Sequence, residues 1–148
     1  KYIFLGKELG ARSDDPDCYE NGKVSYSRLA GTTLFQEGMG RVRTGSENYL
    51  IALMCAEKEP LECHRTLLVA KELNEQGYSV LHILADGKLE THEDAMLRLL
   101  DVVGLPRGDL FGPEEELIPE AIALQQDKVA YVDEELAIES SSKQKLPL

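Results

Sequence analysis

The sequence predicts an α/β fold, a small parallel sheet flanked by helices and followed by a helical C-terminal part, and three observations predict it. The run Tyr49-Leu50-Ile51-Ala52-Leu53-Met54 is short and continuously apolar, the pattern of a strand buried on both faces. Segment 64–75 sets Leu67, Leu68, Val69 and Leu73 across one helical face. After Gly77, Ser79-Val80-Leu81-His82-Ile83-Leu84 reads as a second buried strand. Strand, helix and strand in so short a span form a βαβ unit, whose two strands run parallel with a right-handed crossover.

Residues 1–5, KYIFL, read as a further strand entering the turn Gly6-Lys7-Glu8-Leu9-Gly10. A start in mid-strand predicts an N-terminal portion missing from, or processed off, this chain. Asp14, Asp15, Pro16, Asp17, Asn21 and Gly22 mark residues 11–23 as a loop. From Tyr26, the apolar residues Leu29, Leu34, Phe35, Met39 and Val42 recur at helical spacing, giving two short helices broken near Gly31, the second stopped by Gly45. Gly38 and Gly40 weaken that second helix, each by up to about 1 kcal/mol against alanine.

Beyond Asp86-Gly87-Lys88, Thr91 can cap a helix running to Val103, with Glu93 and Asp94 in its first turn and Met96, Leu99 and Leu100 inward. Gly104 and Pro106 end it. Pro113 and three following glutamates suit a helix start, and apolar spacing continues to about Val132, with a second helix starting near Pro119. Residues 133–148 lose periodicity and predict a flexible acidic and polar tail, leaving 1–132 as a single α/β domain.

Composition narrows function. Sixteen Lys and Arg against 27 Asp and Glu give a net charge of -11, which disfavours bulk nucleic-acid binding without excluding it. A small anionic molecule in a locally basic pocket is the expected partner. No apolar run approaches the roughly 20 residues that span a bilayer, so no membrane partner is expected. Cys18, Cys55 and Cys63 are too few and too uneven for a disulfide framework, which predicts a cytoplasmic protein. Oligomeric state stays open.

The chemistry concentrates at 55–65, where Cys55 ends a predicted strand and Cys63, His64 and Arg65 begin a predicted helix. Ligands of open α/β sheets bind at such strand ends. A helix N-terminus attracts anions and stabilises thiolates, so Cys55, Cys63 and His64 are the catalytic candidates, Cys63 slightly ahead of Cys55. Arg65, Glu57, Arg12 and His92 are the ligand-binding candidates. Arg12 leaves strand 1–5 at its carboxyl end, and His92 stands at a helix start. His82 reads as a packed sheet residue. The bland alternative makes the loop an ion-pair network, with Arg65 bound to Glu57. A zinc site from Cys55, Cys63, His64 and His82 or His92 is disfavoured, because consecutive helical residues point about 100 degrees apart. No metal or cofactor is expected. A reversible Cys55–Cys63 disulfide needs α carbons within about 7 Å.

In layout the strand, cysteine, loop and helix resemble rhodanese-like sulfurtransferases and cysteine phosphatases, within a Rossmann-like frame, although the spacing from cysteine to arginine departs from theirs. The words CAEKEPLECHR at 55–65, HIL followed by Asp-Gly, HED at 92–94, LGKELGAR at 5–12 and QQDKVAY at 125–131 resemble the domain-of-unknown-function family 488. That resemblance spans most of 1–132. It implies a small cytoplasmic α/β domain usually preceded by a strand and helix ending in an Asp-Val-Arg-like element, and it implies no settled activity. Function is thus expected to be binding of a small phosphate- or nucleotide-like anion at 55–65, with cysteine-dependent chemistry of transferase or hydrolase type. The alternatives are a non-enzymatic ligand or nucleic-acid binding module whose Cys, His and Arg residues are structural, and a structural subunit.

Overall fold

Two short hairpins and six α-helices organise the described residues, 1–107 and 113–143, of the computed structural model. The helices are α1 (Tyr26–Ala30), α2 (Thr33–Ser46), α3 (Lys71–Glu75), α4 (His92–Val103), α5 (Ile118–Val129) and α6 (Glu134–Lys143). The strands are β1 (Tyr19–Glu20), β2 (Lys23–Val24), β3 (Leu81–Ile83) and β4 (Leu89–Thr91). Contacts divide the chain into two units, residues 1–52 with 130–148, and residues 53–129.

In the first unit, β1 and β2 pair antiparallel across Asn21 and Gly22, whose φ angles of 52° and 79° give the primed turn that an Asn-Gly pair favours. The Gly22 carbonyl accepts the Asp133 N–H at 2.7 Å, and Val24 N–H donates to Tyr131 O at 2.9 Å. A side chain at Gly22 would also strike Ala137 of α6. Helix α6 therefore occupies part of the segment expected to be a tail. Helix α1 and helix α2 are broken at Gly31 as the glycine pattern predicts, and Thr32 Oγ1 caps α2 by accepting the Phe35 N–H. Gly38 is tolerated within α2 because a Cβ there would collide with Glu8 and Leu9. Cys18, Phe35 and Met39 are buried in this unit.

In the second unit, α4 matches its sequence signals. Thr91 Oγ1 accepts the Asp94 N–H, and Gly104 closes the helix in the left-handed region. Its Ala95, Met96, Leu99 and Leu100 are buried, as are Leu67, Leu68, Leu73, Ala121 and Ile122. Helix α5 lends two amides to the loop region: Gln125 Nε2 donates to Leu61 O and Gln126 Nε2 to Leu67 O, both at 2.8 Å.

The predicted parallel sheet is not what forms. The described residues hold two separate antiparallel two-stranded sheets, so the fold is mixed and helix-rich. Segments 1–5 and 49–54 join no ladder, and Tyr2, Phe4, Tyr49, Leu50 and Met54 are exposed. β3 pairs instead with β4, Leu81 opposite Thr91 and Ile83 opposite Leu89. The Asp86-Gly87 turn brings this partner within a few residues, where loop closure costs least. Within β3, His82 is buried, as a packed sheet residue should be, while Leu81 and Ile83, expected in a strand buried on both faces, are exposed. No helix among the described residues is long and apolar enough to cross a membrane.

Candidate functional site

Residues 55–65 form a loop held by carboxylates and amides from its own unit. Glu59 accepts the Leu61 N–H and so caps a short 3-10 turn, Pro60–Glu62. The same carboxylate takes a hydrogen bond from Arg98 Nη2 at 2.9 Å, while Arg98 Nε and Nη2 grip Glu90 of β4 at 2.7 and 2.8 Å. Arg98 thereby ties the loop to the β3–β4 hairpin. Those bonds hold the Glu90 carboxyl below the usual carboxylate range.

Cys63 follows the turn with φ -123° and ψ 135°, which is extended backbone. The helix starts after it, as the π-helix Arg65–Ala70, and continues as α3. π-Helical turns are rare and often accompany functional sites. Cys63 is therefore not a helix residue as expected, and the helix start is not an open set of N–H donors. Thr66 and Leu67 donate to Cys63 O at 3.0 and 3.1 Å, and Arg65 N–H lies 3.3 Å from Cys63 Sγ.

The sulfurs of Cys55 and Cys63 are in disulfide contact, with their α carbons 7.5 Å apart. Glu57 Oε2 lies 3.3 Å from Cys63 Sγ, and His64 Nδ1 lies 3.9 Å from it. Cys55 is half-buried and Cys63 fully buried. The extended backbone at Cys63 removes the premise that Cys63 and His64 are successive helical positions. Burial pushes the His64 ring below the ordinary histidine value, with Glu57 opposing and Arg65 adding to the shift.

Arg65 is half-buried, and its guanidinium has no carboxylate partner among the described residues. The Arg65–Glu57 ion pair of the bland reading does not form, since Glu57 turns to Cys63. His92 joins a different group. His82 Nε2 and His92 Nδ1 share a hydrogen bond at 3.0 Å, and His82 Nδ1 meets Thr66 Oγ1 at 3.5 Å. Burial, with the His92 ring and Arg65 adding to it, lowers the His82 value to about 4, and burial lowers His92 as well. Arg12 belongs to the other unit, its guanidinium stacked 4.2 Å over the Tyr131 ring.

Sequence reasoning missed Thr66, Glu59, Glu90 and Arg98. The Thr91 cap and the polar side of α4 hinted at Arg98, but nothing local could pair it with a residue 39 positions away. A surface cavity lined by Asn74, Tyr78, Ser79, Thr91 and Glu93 includes none of the Cys, His and Arg residues of the loop.

No curated protein and no solved structure matches the chain. A family model does match, and its match ends at residue 71, so the HED and QQDKVAY words lie beyond it. Over residues 1–71, which include the whole of the loop 55–65, the chain is similar to the Domain of unknown function DUF488.

Proposed function

We propose that the loop 55–65 binds a small anionic ligand, phosphate- or nucleotide-like, with Arg65 as its countercharge and the Cys55–Cys63 pair as the source of cysteine-dependent chemistry. Arg65, half-buried and without a carboxylate partner among the described residues, carries this reading. A cation withdrawn from water without a counterion is costly, and a phosphate or sulfate offers it bidentate, charge-assisted hydrogen bonds. Two acids of the loop are engaged elsewhere, Glu57 at Cys63 and Glu59 at Arg98. His82 and His64 both feel the Arg65 charge, so an anion there would also ease the field on both rings.

Cys55 is the thiol that a reagent reaches first, and Cys63 stands behind it in position to close a disulfide. The proposed setting is the cytoplasm, where the pair would be held as a dithiol. Thermal denaturation in phosphate or sulfate tests the anion: the wild type should gain several degrees at saturating ligand and Arg65→Ala should gain none. Equal gains would refute it.

A further inference from the structure

We propose that the reduced Cys55–Cys63 pair, together with Glu57 and His64, is a binding site for one zinc-class divalent cation. Donor atoms of Cys55, Glu57 and Cys63 all lie within 4.8 Å of one another. A tetrahedral zinc ion with Zn–S near 2.3 Å and Zn–N or Zn–O near 2.0 Å sets neighbouring donors about 3.3–3.8 Å apart. Cys63 Sγ already stands 3.3 Å from Glu57 Oε2 and 3.9 Å from His64 Nδ1, close to two edges of that tetrahedron.

Consecutive helical residues would point Cys63 and His64 apart, but Cys63 is extended, at φ -123° and ψ 135°, and the imidazole folds back toward the sulfur. The two α carbons, 7.5 Å apart, are further separated than the roughly 4.4–6.8 Å usual for a disulfide. The donor set of two thiolates, an imidazole and a carboxylate suits zinc, whereas calcium and magnesium prefer all-oxygen sites.

Oxidised sulfurs cannot serve as thiolates, so the site exists in one redox state. A thiol or phosphine reductant supplies two electrons, and two protons enter from solvent, breaking the S–S bond to give two thiols. Binding of the cation then releases both thiol protons. Oxidation of the loaded site by a disulfide or peroxide would return the S–S bond and expel the ion.

Cobalt(II) titration of the phosphine-reduced full chain tests this. The expected result is one ion per chain, with a thiolate-to-cobalt charge-transfer band and the strong visible bands of tetrahedral cobalt, zinc displacing the cobalt. Cys55→Ser, at a half-buried position, should weaken binding by more than about 100-fold, beyond the 10–100-fold typical of losing an outer-shell partner. His64→Ala should weaken it about tenfold or more and lower the visible intensity. Circular dichroism checks that both variants are folded. Absence of saturable binding in the reduced wild type, or an unchanged charge-transfer band in Cys55→Ser, would overturn the site. An unchanged titration in His64→Ala would overturn the role given to His64. The anion reading stands or falls separately, because its test compares wild type with Arg65→Ala in phosphate or sulfate and involves no metal.

Discussion

His82 and His92 share a single buried hydrogen bond, Nε2 to Nδ1 at 3.0 Å, which needs one ring as donor and the other as acceptor. That bond keeps both rings from being charged at once, and burial chiefly lowers both values, that of His82 to about 4. Arg65, Arg98 and Glu90 face His82, and Glu93, Glu75 and Lys71 face His92. The unfolded chain binds protons at about 6.5, before the native state does. Stability is therefore fully present above that pH and is lost as pH falls toward the lowered native values. Urea midpoints should drop steadily from pH 7 to pH 5, above the range where most carboxylates titrate. A flat profile across that window would contradict the neutral pair.

Arg98→Met should destabilise the protein by about 2 kcal/mol, between an exposed pair and a buried one. The reason is the company it leaves: Glu90, with a side chain only 12% exposed, and Glu59, which also caps the turn before Cys63. The Tm should fall by roughly 4–8 °C for a domain of this size. Because Glu90 is held below its ordinary value by Arg98, this contribution is present at neutral pH and disappears as pH falls through the lowered Glu90 value. The wild type and Arg98→Met should accordingly converge in stability in acid. A constant gap down to pH 3 would count against the Arg98–Glu90 account.

Helix ends were legible in the sequence where a short-range chemical signal sets them, as with Thr91 and Gly104 around α4 or Gly31 between α1 and α2. Strand pairing was not. The apolar run 49–54 states a preference for burial, yet its residues enter no ladder, because pairing depends on a distant partner that composition does not name. The local hairpins carry a turn signal but do not read as hairpins: Asn21-Gly22 lies in an expected loop, and Asp86-Gly87 reads as a turn before a helix rather than as the link between two antiparallel strands. At the site, Cys55, Glu57, Cys63 and His64 do converge, but the extended Cys63 backbone that turns His64 toward the sulfur has no sequence signature.

Gly22→Ala tests the first of those turns. At φ 79° a Cβ is strained by roughly 1–2 kcal/mol, and the added carbon would also strike the backbone of Ala137. The expected loss is about 2 kcal/mol or more, read as a lowered denaturation midpoint. Hydrogen exchange should accelerate at Val24 and Asp133, whose N–H groups bond to Tyr131 and Gly22. Unchanged protection at both amides would show that the hairpin and α6 are not coupled through this residue.

The order of alkylation tests the thiols themselves. In the reduced, folded and metal-free protein, iodoacetamide should label Cys55 first, because it is half-buried, while Cys63 and Cys18 are exposed by no more than 2%. Cys63 should follow slowly, through local opening of a loop that Arg98 and Gln125 hold at Glu59 and Leu61. Arg98→Met should therefore speed labelling of Cys63 more than that of Cys55. It should do so in proportion to the stability lost in the loop, up to about 30-fold for 2 kcal/mol. Cys18 should wait for unfolding of its own unit. Mass spectrometry of timed samples reads all three sites at once. Labelling of Cys63 ahead of Cys55 would reverse the roles given to the two sulfurs, with Cys63 then the thiol that meets the ligand.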